Sequence, residues 1–190
     1  MDSQWSYLAF QSLYAVPTFL TVIALLYLVS RGLPERKESF SASKAFVAYC
    51  YSLIGLGVVA GVIGLTLFVR IGMMAAFDID WTEDDLTLAS VITGTGLIIT
   101  LVHILAKSAA GERAREAMTA AKRLYLSWMT FGFGIAALVS IPVAIYAVVR
   151  YYREIITPDP PTTQIAMAIV LVLIWVYYLM RLLREADRWE

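Results

Sequence analysis

The sequence predicts an all-α integral membrane protein of five transmembrane helices, and three observations carry that expectation. Hydrophobic residues make up 60% of the 190, with a mean hydropathy of +0.72, whereas soluble domains run roughly 45–50% apolar. A water-soluble fold of this length has too little interior to hide the excess. The apolar residues gather into five runs, at about 7–30, 45–69, 86–106, 124–149 and 165–180. Crossing about 30 Å of hydrocarbon takes about 20 such residues at 1.5 Å each. Finally, no Asp, Glu, Lys or Arg interrupts any of the five apolar cores.

Taken in order, the 7–30 run follows Met1-Asp2-Ser3-Gln4-Trp5, which has no positive n-region and no Ala-x-Ala-like site after its apolar stretch. It therefore reads as a retained span rather than a cleaved signal. Pro17 lies inside this run and Pro142 inside 124–149, where a missing N–H and a ring clash bend a helix. Gln11 and Ser12 near the first, and Ser140 near the second, are placed to satisfy the freed carbonyls. The 165–180 run starts behind Pro160 and Pro161, and Leu182 and Leu183 can continue it past Arg181.

The connections at 31–44 and 108–123, the latter with the adjoining Lys107, and the 181–190 tail carry twelve of the fifteen basic residues, in groups of four, five and three. Only Arg70, Arg150 and Arg153 lie on the other side. Short cytoplasmic loops retain Lys and Arg, so the N-terminus is expected outside the cell membrane and the C-terminus in the cytoplasm. The outer loops differ in character: Asp78, Asp80, Glu83, Asp84 and Asp85 make one acidic, and 157–163 is rich in Pro and Thr. Trp5 and Trp81 at the outer boundary, and Trp128 and Trp189 at the inner, fit interfacial belts. The Ala-rich, charge-alternating 108–123 stretch reads as a helical extension of its flanking spans, with a solvated face.

The 45–69/86–106 and 124–149/165–180 pairs resemble copies of one hairpin. Each enters with a basic residue and aromatics (Lys44, Phe46, Tyr49, Tyr51; Arg123, Tyr125, Trp128), and each first helix ends in Val-Arg. Both enter from the same side. The expected architecture is thus one helix plus two parallel-repeat hairpins, related by an axis along the membrane normal.

Composition removes several function classes. One cysteine, Cys50, and one histidine, His103, cannot supply a structural zinc site, a disulfide framework or two axial haem ligands within one chain. No catalytic residues, metal or cofactor are expected. A formal net charge of zero gives no basic excess for nucleic acid. The lack of an ionisable residue at mid-depth argues against a pump, a proton-coupled carrier or a voltage sensor.

Two helix faces stand out. At 100° per residue, Cys50, Ile54, Gly57, Gly61, Gly64 and Phe68 share an arc of about 80°. Small residues there let another helix approach closely, so Gly57, Gly61 and Gly64 read as a packing or oligomer face. Thr93, Gly96, Thr100, His103 and Lys107 share a second arc of about 80°, the most polar stripe in the membrane. Interhelical packing is one use of it and a water-accessible pathway the other. His103 reads as a hydrogen-bonded packing residue.

The function expected is that of a non-enzymatic structural, accessory or interaction subunit. Its expected partners are the lipid bilayer and, through self-association or another membrane protein, a second helix surface. The alternatives are a homo-oligomeric channel or uncoupled permeation path lined by the 93–103 stripe and, further off, a cofactor-carrying redox or light-harvesting subunit.

Overall fold

The computed structural model describes residues 42–108, 115–153 and 160–186. The 7–30 span with Pro17, and the terminal residues Trp5 and Trp189, lie outside the described residues. Four helices make up the rest: α1 (Ala42–Ala76), α2 (Glu83–Ser108), α3 (Arg115–Arg153) and α4 (Thr162–Ala186), with no strand among the described residues. All four are long and apolar enough to cross a membrane.

Each helix outruns the apolar run that predicted it, because a helix ends where its backbone is capped and not where hydropathy falls. α1 continues past Val69 and Arg70 to Ala76. There Asp78 takes a left-handed φ of 52°, and the Ile79 N–H reaches back to the Met74 carbonyl at 2.9 Å. That six-to-one bond around a left-handed residue is a Schellman stop, with an Asp where Gly is usual. α2 begins with a reciprocal cap. The Asp85 N–H donates to Thr82 Oγ1 at 3.2 Å, and the Thr82 N–H donates to Asp85 Oδ2 at 3.2 Å. Glu83, Asp84 and Asp85 fill its first turn, where the helix dipole favours negative charge. At the start of α4 the Pro161 carbonyl accepts the Ile165 N–H at 3.1 Å, and the helix runs on past Arg181 to Ala186. α3 already begins at Arg115, so part of the 108–123 connection is helical extension; residues 109–114 lie outside the described residues.

Pro142 lies within a continuous α3. Its missing N–H frees the carbonyl four residues back, that of Leu138. Ser140 Oγ instead donates to the Ala137 carbonyl at 2.9 Å, so it serves the neighbouring turn and not the carbonyl freed by the proline.

Among the described helices α1 is the hub, touching α2, α3 and α4; α3 and α4 pair with each other, and α2 touches α1 alone. The buried core belongs to α1, α3 and α4: Val47, Tyr51, Ile54 and Val62 meet Leu126, Met129, Phe133 and Ala137, closed by Met167, Val170 and Leu171. This neighbour order departs from two equivalent hairpins. A two-fold relation would pair α2 with α3 as it pairs α1 with α4, and α2 and α3 do not touch. The reason lies in α1, which turns large side chains toward α3 and α4 and glycines toward α2. α3 has no matching glycine face. Its Gly134 seats one indole, the Nε1 of Trp175 lying 2.9 Å from where a Cβ would stand.

Candidate functional site

The two faces singled out in the sequence meet each other along the α1–α2 contact. A Cβ built on Gly57 would lie 2.8 Å from the Gly96 carbonyl oxygen and 2.9 Å from the Thr100 nitrogen. One on Gly64 would lie 2.7 Å from the Thr93 nitrogen, and one on Gly96 would lie 2.6 Å from both the Gly57 oxygen and the Gly61 nitrogen. These are backbone atoms, which cannot swing aside as a side chain can. Glycine is required here because the main chains themselves are in contact, the source of helix association in lipid. On Gly96 the Cβ direction is occupied by hydrogen, which points at the Gly57 carbonyl in the manner of a weak Cα–H···O bond.

Gly61 behaves differently. Its backbone is touched by Gly96, but its own Cβ direction is open for 4 Å. It contributes close approach without needing to be glycine.

The polar members of the stripe divide. Thr93 Oγ1 is buried against Gly64 without a hydrogen-bond partner. By contrast, Ser52, Thr66, Ser90 and Thr130 each bond the carbonyl four residues back. His103 Nδ1 is 2.7 Å from the Ile99 carbonyl, which can only accept, so Nδ1 carries the proton. The imidazole ring stands edge-on to Tyr49, with centroids 5.7 Å apart. No group of three or more metal-ligating side chains occurs among the described residues.

At one end of the bundle the helices are joined by a tyrosine node that sequence reading missed. The Tyr125 and Tyr178 hydroxyls are 2.7 Å apart, the Tyr51 and Tyr125 rings 5.4 Å between centroids, and Phe133 stacks on Tyr178 at 5.7 Å. Lys107 of α2 closes the set. Its Nζ donates to the Tyr51 hydroxyl at 3.3 Å and lies 4.6 Å from the ring centroid. Four helices thus converge on one polar, aromatic cluster. In the sequence Tyr51 and Tyr125 read as flanking aromatics of the kind any membrane hairpin carries. The available signal was the shared presence of Tyr at the same end of three runs, but only the inter-helix register turns these rings inward.

At the opposite end, Arg70 Nη1 donates to Asp85 Oδ1 at 3.2 Å. The pair ties α1 to the capped start of α2.

This chain matches no protein-family model, no curated protein and no solved structure. Its class rests on its own geometry. Four long apolar helices expose Leu97, Ile98, Leu101, Phe131, Leu138 and Leu173, each by more than half, more large apolar side chains than a water-soluble surface tolerates. The chain is a multi-pass helical membrane protein.

Proposed function

We propose that the chain is a non-enzymatic interaction subunit of the cell membrane. Its N-terminus is outside, its C-terminus cytoplasmic, and α2 is the helix that meets a second copy or another membrane protein. The observation that carries this reading is the isolation of α2. It is held to the described bundle through α1 alone, and only Ala89 and Gly96 are buried on it. Val91, Ile98, Leu101 and Leu105 stay exposed at 56% or more. A helix secured by a backbone-to-backbone seam on one side and left apolar on the other is rigid enough to present a surface. The twelve-to-three division of basic residues supports the orientation.

The channel alternative uses the same stripe. Its support is weaker, since Thr93, Gly96 and Thr100 press on the glycines of α1 at distances that leave no room for water. Mass measurement of the purified full chain in detergent, with cysteine cross-linking at position 101, tests the proposal. A defined oligomer or a stoichiometric companion, cross-linked at 101, is the expected result. A monomer with no companion overturns it, and ion conductance in liposomes abolished by T93V would favour the channel.

A further inference from the structure

We propose that the apolar run at 7–30 seats, antiparallel to α1, in the groove along the flank of the α1–α2 seam that faces away from α3 and α4. The proposal does not depend on the interaction reading above, because this groove is separate from the outward face of α2.

The first support is the division of α1 into faces. With Gly57 at zero and about 100° per residue, the core side chains Val47, Tyr51, Ile54 and Val62 lie between about +60° and +140°. Leu53, Leu56, Ala60, Ile63 and Leu67 lie between about −40° and −120°, the opposite side of the helix. They are half-buried, and none belongs to the core that α1 shares with α3 and α4. They recur at alternating intervals of three and four residues, the spacing that packs one helix along another.

The second support is a pair of contacts that fixes which way the groove opens. On one flank of the seam Lys107 reaches the hydroxyl of Tyr51 at 3.3 Å, and Tyr51 belongs to the core. On the other flank His103 meets Tyr49, with ring centroids 5.7 Å apart, and Tyr49 lies at about −80°, in line with Leu56 and Leu67. Ile92, Ile99 and Ala106 of α2 are half-buried and fall on the His103 side, each about 20° to 60° further from Lys107. α1 thus supplies an apolar floor and α2 an apolar wall. Val91, Ile98, Leu101 and Leu105 lie on the reverse of α2 from Gly96 and stay outside the groove.

The third support is the length of chain ahead of α1 and where it ends. Residues 7–30 contain no charged side chain, and 31–41 join them to Ala42 at the start of α1. A chain that crosses in 7–30 and crosses back in α1 runs antiparallel to it, and consecutive elements usually lie side by side. The eleven linking residues span at most about 40 Å, which keeps the two crossings close. α2 and the core already take two sides of α1, and the groove is the remaining side that runs its length. Ala60, midway along the floor, is the small residue that lets a second helix close in.

The test uses the full chain in membranes, with C50A removing the single native thiol. Ile63 lies nineteen residues along from Lys44, and Ser12 nineteen back from Arg31, so the two are level in an antiparallel pair. I63C is combined in turn with Q11C, S12C, L13C and Y14C, four consecutive positions that take in every direction round a helix. After oxidation with copper phenanthroline, mass spectrometry of protein of monomer mass should find a disulfide from 63 to at least one of the four. L101C with the same four should give none. Independently, benzoylphenylalanine in place of Leu56 should photo-cross-link to a peptide from 7–30 of the same chain. Either product with position 101 silent supports the seat. Absence of both overturns it, as do pairing of 101 with the same four, or products from 56 and 63 that join only a second copy, a foreign protein or lipid.

Discussion

The hydroxyl oxygens of Tyr125 and Tyr178 stand 2.7 Å apart between α3 and α4, in an interior where each ring is less than a tenth exposed. Each phenol is the other's hydrogen-bond partner. Removing one hydroxyl strands the other, and a buried group left unpaired costs about 1–3 kcal/mol. Y125F and Y178F should each lower thermal stability by that order. The double variant Y125F/Y178F should recover much of the loss, since no orphan remains. Additive losses in a double-mutant cycle would show that the two hydroxyls act separately.

The glycine seam makes a sharper forecast than a count of small residues would. G57A, G64A and G96A each drive a methyl into backbone closer than 3 Å. Overpacking of this kind typically costs about 1–3 kcal/mol, and α1 and α2 should separate measurably. G61A points its methyl into open space and replaces a poor helix former by a good one, a gain of up to about 1 kcal/mol. Detergent unfolding of the four variants decides the matter: a G61A chain as damaged as G96A would refute the register.

Thr93 brings a hydroxyl into the seam without a hydrogen-bond partner. T93V keeps the shape and removes the orphan, so stability should hold or rise. A cysteine at position 93 should stay unreactive to a water-soluble reagent in sealed cells, because the position is closed by Gly64. Rapid labelling there would indicate a wet path.

The cap at Thr82 and Asp85 should respond unequally to truncation. T82A loses the N-cap, about 1 kcal/mol. D85A loses the reciprocal acceptor and also leaves Arg70 without its carboxylate, so it should cost more. D78G should not destabilise, because glycine accepts the left-handed φ of 52° that an L side chain resists. Thermal unfolding ranks all three.

Orientation is tested by cysteines at Asp80, Glu83 and Thr119, all exposed, against a native Cys50 that is buried. An impermeant reagent should label the first two from outside and spare position 119. The reverse pattern would invert the topology.

What the sequence alone determined follows from properties that need no partner. Hydrophobic run length decides whether a helix can cross hydrocarbon, so the runs at 45–69, 86–106, 124–149 and 165–180 each lie within a helix. Angular periodicity decides which residues share a face, so Gly57 and Gly64, and likewise Thr93 and Gly96, could be grouped before any contact was known. What only the tertiary structure decided is which face meets which. Lipid is as apolar as the helices, so hydrophobicity does not say where a helix turns; that choice falls to shape and to buried polar pairs. Thus the two stripes are halves of one seam, Gly61 is dispensable as a glycine, and α2 has a single described neighbour. Tyr51 and Tyr125, which read as the entry aromatics of their hairpins, close with Tyr178 into a node, because the three find one another only once three helices are set in register.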